Sequence, residues 1–124
     1  MAVLVSPLRA GVLLLEYVGI SRHEELMAAY NQILAEPNLI YVLVDTTEMM
    51  IVDESVYRTN PVVAYFKTLL ARDTLKLVVV IVPEIKDDMR EFTRSFYTAL
   101  GYRHKLQFVE HRQAGLALLT TLFD

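Results

Sequence analysis

Three stretches of this chain are almost unbroken in apolar character: Val12 to Val18, Leu39 to Val44 and Leu75 to Val82. Each has the length of a strand, and a strand that is apolar on both sides has to be covered on both faces. The segments between them carry helical spacing instead. Leu26, Met27, Tyr30, Ile33 and Leu34 form one stripe, and Val62, Val63, Phe66, Leu69 and Leu70 form a second. Met89, Phe92, Phe96, Ala99 and Leu100 form a third. Strands buried on both faces and alternating with helices imply a mainly parallel sheet, because a parallel pair needs a crossover and the crossovers lay helices over the sheet.

The boundaries follow from local chemistry. Residues 2–5 read as a short N-terminal edge strand, broken by Ser6-Pro7. Ser21 and Glu24 have capping-box spacing for the first helix, and Pro37-Asn38 ends it. Asn60 and Pro61 read as the cap and first position of the second helix. Asp87-Asp88 opens the third helix and Gly101 stops it. Leu106 to Val109 is a last short strand, and Gln113 to Phe123 a terminal helix with Leu118, Leu119 and Leu122 inward. The expected architecture is a single α/β domain over residues 1–124, with a four- to five-stranded, mainly parallel sheet, an N-terminal edge strand and four helices.

Composition narrows the function. The net charge of −3 argues against a nucleic-acid binder, which needs a basic face to displace counterions from phosphates. No segment approaches the roughly eighteen apolar residues of a membrane span. The apolar start is not preceded by a basic region, so it reads as a strand rather than a signal peptide. With no cysteine in the chain, disulfide and thiolate chemistry are excluded, and a cytoplasmic location is the expectation. Hydrophobic residues make up 54% of the chain, high enough to expect that a partner or ligand covers some apolar surface.

Chemistry-bearing motifs are sparse. The four glycines, at 11, 19, 101 and 115, make no phosphate-cradling loop. His23, His104 and His111 lack metal-ligand spacing, so neither metal nor cofactor is expected. A Ser55-His111-Asp45 triad lacks a nucleophile elbow. A receiver domain would need an acidic pair after its first strand, where this chain has Glu16-Tyr17-Val18-Gly19. Arg90 and Arg94 read as a solvated helix face. In open parallel sheets ligands bind beyond the carboxyl ends of the strands, here Gly19 to Ser21, Asp45 to Ser55, Pro83 to Asp88 and Glu110 to Arg112. The second of these is the most telling. If its strand ends at Asp45, about fifteen residues separate it from the Pro61 helix, where about two to six are usual. That connection carries Thr46, Thr47, Met49, Met50, Asp53 and Ser55, and its methionines suit an adaptable binding surface. Tyr57 and Tyr65 flank the helix start, placed to line a pocket or an interface.

The Asp45-to-Ser55 stretch resembles the STAS domain, the SpoIIAA-like fold of bacterial anti-sigma-factor antagonists. Asp45 matches the Asp that ends a strand in that family, Asp53 the second Asp eight residues on, and Ser55 the phospho-accepting position. Glu54 and Val56 stand where the family has Ser and Gly. The order of elements is similar over most of the chain, and the fold is related to CRAL-TRIO lipid-transfer domains. The resemblance implies a non-enzymatic regulatory, protein-interaction module, a homodimer whose contact surface is the loop 45–60, with a phosphorylation switch at Ser55. The alternative it implies is a small apolar, lipid-like ligand at the same end of the sheet, near Met49, Met50, Ile51, Tyr57 and Tyr65. A third expectation, an enzyme using Asp45 and Asp53 as a carboxylate pair, lacks an evident base or metal partner.

Overall fold

The computed structural model of the chain describes residues 2–83 and 87–123. β1 (Ala2–Arg9) and β2 (Val12–Gly19) form an antiparallel hairpin. Its turn depends on Gly11, which has a φ of +81°. The Gly11 carbonyl accepts from the amides of Ile40 (2.7 Å) and Tyr41 (3.1 Å), tying the hairpin to the start of the next strand. A Cβ at Gly11 would lie 3.1 Å from the Asn38 carbonyl oxygen. β1 continues through Pro7 instead of breaking there. It is the outermost strand, where a proline nitrogen turned away from the neighbour costs no ladder hydrogen bond.

After β2 come α1 (His23–Leu34), β3 (Tyr41–Met49), α2 (Asn60–Leu70), β4 (Leu77–Ile81), α3 (Asp87–Ala99), β5 (Leu106–Val109) and α4 (Arg112–Phe123). The five strands stand side by side in chain order, and β2 to β5 are mutually parallel. This is the small, mainly parallel α/β domain with four helices that the alternation predicts. With strands in sequence order, crossovers of one hand place α1, α2 and α3 on the same face. There Leu26, Tyr30, Ile33, Val62, Phe66, Leu69 and Phe92 pack on Leu15, Tyr17, Val42, Val44, Val78 and Val80. The other face carries Val12, Leu14, Tyr41, Leu43, Val79 and Ile81 under α4 alone. Gly115 lets α4 lie close, since a Cβ there would sit 2.8 Å from Leu43 Cδ1.

Several boundaries move. The box at α1 is one residue later, with the Arg22 amide donating to Glu25 Oε1 at 3.0 Å, while the Ser21 hydroxyl is buried without a partner. Thr59, not Asn60, holds the N-cap position of α2, without a side-chain capping bond, and Tyr65 joins the buried stripe in place of Val63. Thr93 and Tyr97 replace Ala99 on the inner side of α3. The side chain of Met89 and residues 84–86, part of the expected rim Pro83 to Asp88, lie outside the described residues. Leu122, expected inward, is 43% exposed.

The largest correction concerns β3. It does not end at Asp45 but runs to Met49, so the expected fifteen-residue loop is much shorter. Glu16 pairs with Asp45 and Val18 with Glu48, so β3 carries one extra residue here, a bulge opposite Tyr17. Polar residues continue the strand because their groups are satisfied in place. Thr46 Oγ1 donates to the Ile81 carbonyl at 2.6 Å, and Asp45 is held as described below. Met50 still pairs with β2, donating its amide to the Gly19 carbonyl at 2.9 Å.

Candidate functional site

The carboxyl ends of β2 to β5 carry three separate arrangements, on the two faces of the sheet and at its rim. The first lies on the α4 face. Strand register puts Glu16 and Asp45 side by side on neighbouring parallel strands, two carboxylates that would repel. Arg112, at the first position of α4, lies against both. Its Nε donates to Asp45 Oδ2 at 2.9 Å, its Nη2 lies 2.8 Å from the same oxygen, and Nη2 also donates to Glu16 Oε2. The Glu16 carboxylate, then Asp45, raises the Arg112 pKa above its ordinary value. Asp45 Oδ1 accepts from the Thr47 amide at 2.9 Å and from the Thr47 hydroxyl. Both oxygens of this buried carboxylate are therefore engaged, which suits an anchor more than a general base.

An open cleft of about 510 Å³ lies over this cluster, bounded by Glu48, Pro83, Glu110 and His111. His111 Nδ1 accepts from the Ala114 amide at 3.1 Å, so this ring caps α4. Among the described residues no group of three His, Cys, Asp or Glu side chains could hold a metal ion.

The second arrangement is the exposed connection after β3. Asp53 Oδ1 accepts from the Ser55 amide (3.0 Å) and the Ser55 hydroxyl (2.7 Å), starting a 3-10 turn over Glu54–Tyr57. Those two bonds, the hydroxyl first, hold the Asp53 carboxyl below its ordinary pKa. Glu54 and Arg58 form an exposed ion pair at 3.7 Å, and the Arg58 guanidinium lies 5.0 Å from the centre of the Phe92 ring. Ahead of this turn Met50 is 57% and Val52 75% exposed, next to exposed Ile20. An open groove of about 530 Å³, with Ile51, Val52 and Phe92 in its lining, runs between the connection and α3.

The third arrangement is a small aromatic cage on the α1–α3 face, lined by Tyr17, Tyr30, Met49, Tyr57, Phe92 and Phe96 among others. Its volume of about 20 Å³ holds roughly one water. The Tyr17 and Tyr30 hydroxyls share one hydrogen bond of 2.7 Å. The buried Tyr57 hydroxyl lies toward Ser21 but completes no hydrogen bond. Burial raises the pKa of all three tyrosines.

The residues expected to share one surface are thus dispersed. Asp45 and Thr47 belong to the α4 face, Thr46, Met49 and Tyr57 to the opposite side, and Met50, Asp53 and Ser55 to the exposed rim. Tyr65 stacks on Tyr30, with centroids 4.0 Å apart, and lies behind the cage wall. Asp45 and Asp53 have no hydrogen-bond partner in common, so a shared carboxylate site does not form. Sequence reasoning passed over Glu16 as a partner of Asp45. Its signal was a lone charge inside an otherwise apolar strand, which needs a counter-charge wherever it is half-buried.

No known protein-family model matches the chain, and no curated protein matches it.

Proposed function

We propose that the chain is a STAS-like, non-enzymatic interaction module that binds a protein partner through the rim formed by Ile20, Met50 and Val52. One observation carries this reading. Met50 and Val52 are exposed although the chain on both sides of them is anchored, by the Gly19–Met50 bond and by the Asp53 cap. Holding apolar side chains in water on an ordered turn has no folding benefit, so a contact surface accounts for them. The N-terminal hairpin and the parallel β2–β5 are in keeping with the STAS resemblance, whereas Ser55 lies in a 3-10 turn ahead of α2 and not at its start.

Ser55 would act as the switch. Its hydroxyl is exposed and donates to Asp53. A phosphate of about −1.5 to −2 charge there loses that bond and meets Asp53 and Glu54, so it would open the turn beside the apolar rim. A photo-crosslinking residue at position 52, introduced into the protein in its own cells, tests the surface. A discrete adduct that disappears with Met50→Asp or Ser55→Asp is expected. Equal labelling from position 68, on the exposed side of α2, would refute the assignment.

A second reading, carriage of a small apolar ligand, draws on the unpartnered Tyr57 hydroxyl in the aromatic cage. At about 20 Å³ the cage admits such a ligand only if its lining side chains move apart. Native mass spectrometry decides it, through an organic adduct that is lost on denaturation.

A further inference from the structure

The outer side of α4 differs from every other exposed helix surface described here. The exposed residues of α1 include Glu24, those of α2 Lys67, and those of α3 Glu91 and Arg94. From Gln113 to Phe123, α4 has no charged residue at all. Its exposed positions are Gln113, Leu116, Ala117, Thr120, Thr121 and Leu122. Even the threonines contribute little polarity. Thr120 Oγ1 donates to the Leu116 carbonyl (2.9 Å) and Thr121 Oγ1 to the Ala117 carbonyl (3.0 Å). Both hydroxyls are thereby spent on the helix itself, leaving methyl groups for the surroundings. A helix this apolar on all sides is normally covered.

The sheet beside it is also open. α4 packs over β3, β4 and β5. On β1, Leu4 pairs in register with Glu16, so it faces the same side as α4, and it is 46% exposed. Leu8 is 40% exposed at the irregularity further along that strand. Charge returns only at the two ends of the helix. Exposed Glu110 lies just before its N-terminus, where Arg112 is already paired with Glu16 and Asp45, and the Arg9 guanidinium stacks 3.7 Å from the centre of the Phe123 ring at its C-terminus.

We propose that this face binds a second copy of the chain, with the two α4 helices antiparallel across a two-fold axis near Ala117 and Thr120. The two-fold accounts for the charge pattern. It brings the acidic Glu110 end of each helix against the basic Arg9 end of the other, and it opposes the two helix dipoles. Small residues at the centre let the helices approach closely, and Leu116, Leu122 and Leu4 fill the flanks. The helix is about 18 Å long at about 1.5 Å per residue. That is short for the roughly 800 Å² per partner of a stable interface, so a dissociation constant on the order of micromolar is expected. This surface lies on the opposite face of the sheet from α1 to α3 and differs from the rim at Met50 and Val52. The dimer and the partner surface can therefore stand or fall separately.

Sedimentation equilibrium of the full chain across micromolar concentrations tests the proposal. The wild type is expected to dimerise, and Ala117→Asp or Thr120→Arg to weaken the dimer at least tenfold with an unchanged circular dichroism spectrum. Arg9→Glu alone and Glu110→Arg alone should each weaken it, while the double reversal should restore it. A wild type that stays monomeric throughout would overturn the proposal. So would a dimer that survives Ala117→Asp and Thr120→Arg but is lost with Val52→Asp, or charge reversals whose losses add instead of cancelling.

Discussion

Replacing Arg112 with Ala should unbalance the α4 face in a way that a second substitution partly repairs. The guanidinium is the cation held between Asp45, whose side chain is 7% exposed, and Glu16, at 24%. Arg112 itself is 43% exposed, so solvent screens it and the full cost of breaking a buried pair does not apply. A surface pair contributes about 0–1 kcal/mol and loss of one buried partner costs about 3–5, which places this substitution near 2 kcal/mol. The repulsion left behind is of similar size. Two carboxylates about 5 Å apart on adjacent strands repel by about 0.8 kcal/mol in water and roughly 3 at an effective dielectric constant near 20. Urea unfolding should therefore show the midpoint lowered by about 1 M, for a slope near 2 kcal/mol/M that does not change. Adding Glu16→Gln to Arg112→Ala should recover part of the loss, whereas Glu16→Gln alone should be destabilising. Raising the pH offers no substitute for the mutation. A raised Arg112 pKa contributes stability that is fully present at every pH below the unfolded value of a guanidinium, which lies beyond the accessible range. If Arg112→Ala changes stability by less than about 0.5 kcal/mol, or Glu16→Gln deepens its effect, the electrostatic account of this cluster is wrong.

Three further outcomes are expected. Gly115→Ala gains about 1 kcal/mol of helix propensity but drives its Cβ to 2.8 Å from the buried Leu43 Cδ1, so a net loss of up to about 2 kcal/mol is expected by urea unfolding. A more stable variant would show that α4 shifts freely. Carbon-detected NMR titration should place the Asp53 carboxyl below the usual 3.8, and Ser55→Ala should move it back up. The stability carried by that depressed value is present above the unfolded pKa and is lost as pH falls through the folded one. Tyr17, Tyr30, Tyr65 and Tyr97 have pKa values raised by burial, so their stabilising effect is complete below about pH 10 and is lost as pH rises further. Ultraviolet titration should show these four ionising only together with unfolding.

How much of this was legible in the sequence depended on whether one residue's environment sufficed. The cores of β2 and β4, and the helices, could be read because apolar spacing alone specifies them. β3 beyond Asp45 could not. Asp45-Thr46-Thr47-Glu48 has the composition of a turn, and it stays extended only because distant groups satisfy it. Thr46 reaches the Ile81 carbonyl, and Arg112 comes from the far end of the chain. Leu122 was misjudged for a related reason: α4 is apolar on nearly every side, so its periodicity does not mark a single buried stripe. The Asp53–Ser55 turn is local enough to be read from sequence, since both residues act on each other, but there the sequence yielded only a resemblance and not the turn.

The side-by-side order of the strands also bears on how the molecule is assembled. Each strand docks against the one made just before it, so a ribosome delivers the sheet in the order in which it is built. The sheet grows from the β2 edge of the β1–β2 hairpin, and every later βα unit closes a loop of modest length onto an edge that already exists. No strand has to be inserted between two earlier ones. α4 is the exception, since it emerges last and its Arg112 returns to Glu16 in the first hairpin. Until that contact forms, the growing domain has one face of its sheet bare, and the two facing carboxylates on it keep that face unwelcoming to premature apolar association.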